Sequence, residues 1–158
     1  MNEVHFSSKS KDWETPGSVF EPLQKEFNIV LDVCASDNNR KCNSYFDKKI
    51  NGLTADWKLA GEFGKLSKVA CWMNPPYGRE IGAWVRKAYL ESLKGVTTIA
   101  LLPARTDTKW FHDYILGNSE VRFLKGRIKF VNAKSSAPFP SMIVIFKPKK
   151  KSILRWKK

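Results

Sequence analysis

Residues 69–78 read VACWMNPPYG, an apolar run of strand type that ends in Asn74-Pro75-Pro76-Tyr77-Gly78. Consecutive prolines fix φ and also restrict the residue before them, so we expect a stiff loop. The Asn74 side chain and the proline carbonyls offer acceptor oxygens, which suit the two donors of an exocyclic amino group. The Tyr77 ring offers a face on which a planar base can stack. The loop is predicted to bind a planar amine or amide; the alternative is a strand-to-helix turn whose tyrosine fills the core.

The chain on either side of this loop alternates between strand and helix patterns. Further apolar runs typical of strands buried on both faces lie at residues 29–34, 96–102 and 142–146. Helices are predicted at residues 15–27, 79–95 and 107–117, and two short strands around Lys125-Gly126. Ser18 and Glu21 fit a capping box for the first helix. This order predicts an open, mostly parallel α/β sheet with an antiparallel edge and helices on both faces. In such sheets, ligands bind at the carboxyl ends of the strands.

The composition excludes several classes of protein. The 158 residues suit one domain, and no run approaches the 18 apolar residues of a membrane span. The first residues lack the apolar core of a signal peptide. The three cysteines at unrelated spacings and the two histidines predict neither a disulfide framework nor a metal site. We therefore expect a reduced, cytoplasmic protein.

The charge is strongly basic and uneven. The chain has 28 Lys and Arg against 15 Asp and Glu, and the last twelve residues carry seven of the cations and no acid. Such an excess favours a polyanionic partner. The tail is read either as a solvated terminus or as an arm along nucleic-acid phosphates. We divide the chain into a flexible segment at 1–11, a domain at 12–147 and a basic tail at 148–158.

Several segments carry a resemblance to a known family. They are DWETP at 12–16, LDVCAS at 31–36, NGLTADW at 51–57, WMNPPYG at 72–78, LLPARTDTKWF at 101–111, GRIKF at 126–130 and APFPSMIVIF at 137–146. Together they resemble the adenine-N6 DNA methyltransferases, and specifically the small phage and prophage enzymes of the Dam-like family. The similarity runs from about residue 12 to residue 147.

The resemblance implies a fold and a reaction. The fold is a seven-stranded, Rossmann-like sheet of the S-adenosylmethionine-dependent methyltransferases. The reaction is direct transfer of a methyl group from S-adenosyl-L-methionine to N6 of a flipped-out adenine in double-stranded DNA. The catalytic loop is Asn74, Pro75, Pro76 and Tyr77, in which Asn74 and the Pro75 carbonyl accept from the adenine amino group. A direct transfer needs no nucleophilic cysteine, and we interpret all three cysteines as structural.

The resemblance also implies a cofactor site, comprising Trp13, Thr15, Pro16, Asp32, Ala35, Ser36 and Asp56. A lone buried carboxylate is costly, which favours a ligand role for Asp32. Asp56 is read either as a contact to the cofactor's adenine or as a helix cap. Cys34-Ala35-Ser36 replaces the usual Gly-x-Gly turn, and the acid for the ribose stays open between Asp37 and Asp47. The short crossover after the first strand predicts that its helix is reduced or missing.

Contacts to DNA are expected from a few further residues. Phe130 is a candidate to stack the adenine from the other side, against the alternative of a plain strand aromatic. Arg105, Lys109 and Arg127 are candidates for phosphate contacts. No insertion is large enough for a target-recognition domain. Specificity would then come from loops 104–110 and 132–141, the termini, a partner, or a second copy in a homodimer.

Two other classes of function stay open. One is methylation of RNA or of a protein glutamine, of which the basic charge disfavours the glutamine case. The other is a nucleic-acid-binding protein with a weak or inactive methyltransferase fold. Failure to bind S-adenosylmethionine would favour this second reading, and a preference for RNA would favour the first.

Overall fold

One mixed sheet organises the part of the chain that the structure describes. The structure, a computed structural model, describes residues 13–60, 69–131 and 133–148. Six strands lie in these ranges: β1 Ile29–Asp32, β2 Ser44–Tyr45, β3 Ala70–Met73, β4 Thr97–Pro103, β5 Glu120–Phe123 and β6 Ser141–Phe146. Their order across the sheet is β2-β1-β3-β4-β6-β5. The first four are mutually parallel, and β6 runs antiparallel to both β4 and β5.

The sheet confirms the predicted mixture of parallel strands and an antiparallel edge. Every residue of β3 and β6 is buried, as expected for apolar strands covered on both faces. The resemblance implied seven strands, and the described residues form six.

Helices cover both faces of the sheet. They are α1 Gly17–Phe27, α2 Trp57–Ala60, α3 Ile81–Leu93 and a π-helix at Phe111–Ile115. Successive residues of β3 point to opposite faces, so Trp72 meets α1 while Met73 lies in the core with α3. The rings of Phe20 in α1 and Trp72 are 5.2 Å apart and meet edge to face. Gly95 follows α3 with a φ of 101°, the left-handed conformation common for a glycine just past a helix end.

The chain changes direction across the sheet at β1. From β1 it passes to β2 on one side and then returns to β3 on the other. The connection between β1 and β2 contains no helix in the described residues, as its shortness predicted. Ligands of open α/β sheets bind outside the carboxyl ends of the strands at such a reversal. Asp32 ends β1 and Asn74 follows β3, so both side chains belong to this edge.

The start of α1 differs from the predicted capping box. Pro16 occupies the cap position, and its carbonyl accepts from the N–H groups of Val19 at 3.0 Å and Phe20 at 3.2 Å. No side chain caps this end. Thr15 does not cap it because its hydroxyl lies against Asn74 instead.

The prediction of a second strand near Lys125-Gly126 is wrong. Residues 124–131 contain no strand, because Gly126 turns the chain with a φ of 78°. Backbone hydrogen bonds hold the segment instead, among them those from Val131 N–H to the Glu14 carbonyl at 3.0 Å and from Ala137 N–H to the Ile128 carbonyl at 2.7 Å. Ile128 and Phe130 are buried between exposed neighbours, which explains why the pattern resembled a strand.

Both predicted terminal segments lie outside the described residues, apart from Pro148 at the start of the tail. Within the described ranges, no helix has the length and apolar character needed to cross a membrane.

Candidate active site

A cleft opens at the carboxyl ends of β1 and β3, where the chain reverses direction. Its walls are Trp13, Glu14, Thr15, Asp32, Cys34, Asn39, Lys41, Trp72, Asn74 and Pro76. Five of these are predicted site residues: Trp13, Thr15, Asp32, Asn74 and Pro76. The fold therefore brings together the N-terminal segment, the end of β1 and the Asn-Pro-Pro-Tyr loop, which are far apart in sequence.

The amide of Asn74 is held in one orientation. Its Nδ2 donates to the Trp13 carbonyl and to the Thr15 hydroxyl, the second at 3.1 Å. A carbonyl can only accept, so the amide nitrogen must face Trp13 and the oxygen must face away. This oxygen, Oδ1, is buried and has no hydrogen-bond partner among the described residues. A buried acceptor left unsatisfied costs about 1–3 kcal/mol.

The rest of the loop is fixed as the two prolines predicted. The Pro76 carbonyl accepts from the Gly78 N–H at 3.0 Å. The Tyr77 hydroxyl donates to the Leu101 carbonyl of β4 at 3.0 Å, and burial raises the pKa of this phenol well above its usual value. The loop is thereby tied to two neighbouring strands.

Four aromatic rings gather beside the loop. Tyr77 meets Phe130 at 6.3 Å and Phe139 at 5.6 Å, with interplanar angles of 77° and 73°. Trp13 contacts the same two rings, at 5.0 Å and 5.6 Å. Phe130 is only 2% exposed, so a base could stack on it only after Trp13 or Tyr77 had moved. Neither Phe130 nor Phe139 lies parallel to the Tyr77 ring. Neither ring therefore takes the parallel arrangement that a stacked base would have.

The Asp32 carboxyl is buried at the end of β1. Its oxygens accept from the N–H groups of Cys34 at 3.3 Å and Lys41 at 3.0 Å. Burial raises the pKa of Asp32 to about 6, against the opposing effect of these two hydrogen bonds and of the Lys41 charge. A carboxylate can accept further hydrogen bonds, so Asp32 retains capacity for a cationic ligand.

Sequence reasoning missed Glu14 and Lys41. The Lys41 ammonium lies 3.2 Å from Glu14 Oε1, and the pair forms one wall of the cleft. Glu14 lies inside the Asp-Trp-Glu-Thr-Pro motif, which was a usable signal. Lys41 contacts Asp32 through its backbone N–H, which every residue except proline provides, so its identity gave no clue.

Four predicted cofactor residues do not line this cleft: Pro16, Ala35, Ser36 and Asp56. Ala35 N–H donates to the Phe46 carbonyl, and Ser36 N–H to the side chain of Asn39. Asp56 accepts from the Lys58 N–H at 2.9 Å at the start of α2, and the next residue, Trp57, is fully buried. That geometry matches the helix-cap reading of Asp56.

The two candidate ribose acids are exposed or partly exposed. Asp37 accepts from the Tyr45 hydroxyl, and Asp47 from the N–H groups of Lys49 and Ile50. Neither residue lies in the wall of the cleft.

The predicted phosphate contacts, Arg105, Lys109 and Arg127, are all exposed. Arg105 lies two residues after the carboxyl end of β4, on the same edge of the sheet as the cleft.

The cysteines lack the features of a nucleophile. All three are free thiols, and burial raises the pKa of Cys34 and Cys71 well above the usual value and that of Cys42 to about 12. Because the thiolate is the reactive form, these groups are protonated and inert at neutral pH. This agrees with a structural role.

A buried carboxylate and an oriented amide at adjacent strand ends define an α/β protein with a candidate ligand site at the reversal of its sheet. The profile of the DNA N-6-adenine-methyltransferase (Dam) family matches residues 4–156. The chain belongs to this family, which confirms the resemblance.

Two phage proteins named DNA N-6-adenine-methyltransferase are similar to the chain. The protein of Haemophilus phage HP1 (strain HP1c1) is 32% identical over 158 residues, which cover 94% of this chain and 86% of that protein. The protein of Escherichia phage T1 is 30% identical over 114 residues, which cover 72% of this chain and 44% of that protein.

Proposed function

We propose that the protein methylates N6 of adenine in DNA, with S-adenosyl-L-methionine as the donor and the target base flipped out of the duplex. The observation that carries the proposal is Asn74 Oδ1 at the carboxyl edge of the sheet, which is buried and has no hydrogen-bond partner among the described residues. Family membership supports the same reaction.

The Asn74 oxygen suits an amino group by its chemistry. The 6-amino group of adenine has two N–H donors, and Oδ1 can accept one while the Pro75 carbonyl accepts the other. Two acceptors in the plane of the base leave the nitrogen lone pair free to point out of that plane, toward a methyl donor. Because Oδ1 is shielded from water, its partner must displace neighbouring side chains to reach it.

The residues of the cleft fit the cofactor. S-adenosyl-L-methionine, when bound, supplies an electrophilic methyl group. The Asp32 carboxylate would hold its ammonium, since a buried acid whose pKa is about 6 gains from a cationic neighbour. The Trp13 ring, in the wall of the same cleft, would pack against the methionine end. Thr15, Pro16, Ala35, Ser36 and Asp56 stay predicted cofactor residues.

The catalytic gain would come from positioning and electrostatics that are set before the base arrives. Asn74 is oriented by two hydrogen bonds, and Tyr77 is anchored to β4, so neither must reorganise during the reaction. Extrusion of the base costs a few kcal/mol, which contacts with phosphates would offset. Arg105, Lys109 and Arg127 are proposed for those contacts, and Phe130 for the pocket of the base. The homodimer stays a prediction.

The acceptor is tested by following a labelled methyl group. Purified protein is incubated with methyl-labelled S-adenosyl-L-methionine and, in separate reactions, unmethylated duplex DNA, RNA and a protein mixture. We expect label in DNA only. Label in RNA alone, or none in any acceptor with the cofactor still bound, would contradict the proposed substrate. Absence of cofactor binding would favour a nucleic-acid-binding protein with an inactive methyltransferase fold.

The proposed role of Asp32 predicts a pH-dependent affinity for the cofactor. Above pH 6 the carboxylate is charged, so Asp32→Asn should weaken binding roughly tenfold to hundredfold, the range of hydrogen bonds to charged groups. As pH falls below 6, protonation of Asp32 should weaken binding by the wild type, and the variant should lack this dependence. Calorimetric titration between pH 5 and pH 8 measures both curves. Parallel curves for the two proteins would exclude this role.

Thr15 is expected to act by positioning Asn74. Thr15→Val keeps the shape of the side chain but removes the acceptor for Asn74 Nδ2, so we expect kcat to fall roughly tenfold, as one hydrogen bond of the amide is lost. Thr15→Ser should restore most of it. The measurement is kcat beside the Kd for the cofactor. A change in cofactor Kd with kcat unaltered would instead place Thr15 in cofactor binding.

A further inference from the structure

Nearly all of the net charge lies after Glu120. Residues 1–120 contain sixteen Lys and Arg against fifteen Asp and Glu, whereas residues 121–158 contain twelve Lys and Arg and no acid. The greater part of the protein is therefore close to neutral. Most of the net attraction for a polyanion therefore comes from the last quarter of the chain.

Some of these cations are already engaged. Arg122 binds both carboxylate oxygens of Glu26 at 2.7 Å, and Lys147 lies 2.7 Å from Glu120. A second group is exposed and has no carboxylate within ion-pair distance in the described part of the chain: Lys125, Arg127, Lys129 and Lys134. We name these four residues the basic row.

The basic row lies on the same edge of the sheet as the cleft. β5 and β4 both run antiparallel to β6, so their carboxyl ends meet at one edge. The segment that carries the row leaves β5 there and enters β6 at Ser141. Two backbone hydrogen bonds pin it to that edge, from Leu124 N–H to the Ser141 carbonyl at 3.1 Å and from Ala104 N–H to the Pro140 carbonyl at 2.9 Å.

The middle of the row is attached to the active site itself. Arg127 and Lys129 alternate with the buried Ile128 and Phe130, so they face outward from a segment whose inner side is in the core. The Phe130 ring contacts Trp13, 5.0 Å away, and Val131 N–H bonds the Glu14 carbonyl. The two cations therefore stand on the outer surface directly behind residues that form the site.

We propose that the basic row is the phosphate-binding surface that holds duplex DNA against the active-site edge. The proposal rests on the proposed function, which makes DNA the substrate. Exposed, unpaired cations on an anchored segment suit a backbone of closely spaced phosphates, and each contact made releases a condensed counterion. Because the rest of the protein has a net charge near zero, we expect the duplex to bind preferentially on the side that carries the basic row.

A matched pair of variants tests the surface. Arg127→Gln with Lys129→Gln removes two charges from the row. Lys25→Gln with Arg86→Gln removes one Lys and one Arg from exposed positions on α1 and α3. Affinity for a labelled duplex is measured by fluorescence anisotropy at several salt concentrations in the full chain. We expect the first variant to lower the salt slope by about two and to raise Kd roughly ten- to thirtyfold near 0.15 M salt.

The control variant should retain the wild-type slope, and all three proteins should bind the cofactor equally. Equal losses in both variants, an unchanged slope in the first, or a wild type that prefers RNA to duplex DNA would each overturn the proposal. The experiment measures DNA binding and not methyl transfer, so its failure can be distinguished from a failure of the proposed function. A protein that binds DNA through the row but transfers no methyl group would refute that function and leave the surface in place.

Discussion

Replacing Asn74 by Ala is expected to lower kcat for methyl transfer by about a hundredfold to a thousandfold, the range found for loss of one preorganised polar group in an active site. The alanine removes Oδ1, which is buried and unpartnered in the described structure and is proposed to accept from the target amine. It also frees the Trp13 carbonyl and the Thr15 hydroxyl from their shared donor.

The expected loss in Asn74→Ala is in catalysis and not in folding, so kcat and folding must both be measured. Affinity for the cofactor should change by only a few-fold in Asn74→Ala, and thermal unfolding should stay cooperative. Asn43→Ala, at an exposed residue before β2 and outside the cleft, serves as the matched asparagine control and should keep wild-type kcat. A folded Asn74→Ala that binds the cofactor and retains wild-type kcat would contradict the role assigned to the loop.

Replacing Tyr77 by Ala should both destabilise the protein and abolish transfer. The substitution removes a ring packed against Phe130 and Phe139, together with the hydrogen bond to Leu101. Tyr77 is only partly buried, so its truncation should cost less than the about 3–5 kcal/mol of a fully buried aromatic. Loss of the stacking face should lower kcat at least a hundredfold. Tyr77→Phe keeps the ring and loses only the hydroxyl, so it should cost about 1–3 kcal/mol and keep kcat within several-fold.

Urea unfolding and kcat, measured on the same preparations, separate the two effects. Tyr114→Ala removes a partly buried tyrosine that pairs with Tyr89 at 5.7 Å, away from the loop. It should lower the free energy of unfolding without lowering kcat under conditions where the protein is folded. If folded Tyr77→Ala were as active as Tyr114→Ala, the ring would be structural only. An inactive Tyr77→Phe would instead point to a chemical role for the hydroxyl.

The central strands could be predicted from the sequence because burial on both faces leaves a simple pattern. Residues 96–102 and 142–146 are near-continuous apolar runs, and they became β4 and β6 nearly as predicted. The position of Asn74 followed for the same reason, since the end of β3 is the end of an apolar run. Element order then placed Asp32 and Asn74 on one edge.

The segment at 126–130 shows where such patterns fail. Alternating burial of Ile128 and Phe130 is the signature of a strand, yet this segment pairs with no strand and instead packs against the core and the N-terminal segment. Burial determines which side chains are apolar, whereas strand pairing depends on the path of the backbone. Gly126 turns that path away from the neighbouring strands. A pattern alone does not distinguish the two.

The orientation of Asn74 could not be predicted from the sequence. Its partners, Trp13 and Thr15, lie about sixty residues away, and one of them contributes a backbone carbonyl that any residue would offer. The Lys41 contact to Asp32 has the same character. Contacts made by the main chain across long sequence separations leave no trace in residue identity, so they become visible only once the fold is known.

The central claim is that the Asn74–Tyr77 loop directs methylation to N6 of adenine, and the most direct test identifies the methylated nucleoside. Unmethylated duplex DNA is treated with the protein and S-adenosyl-L-methionine, digested to nucleosides and analysed by mass spectrometry, with Asn74→Ala in parallel. We expect N6-methyladenine with the wild type and at least a hundredfold less with the variant. Methylcytosine in place of N6-methyladenine, or equal N6-methyladenine from both proteins, would contradict it.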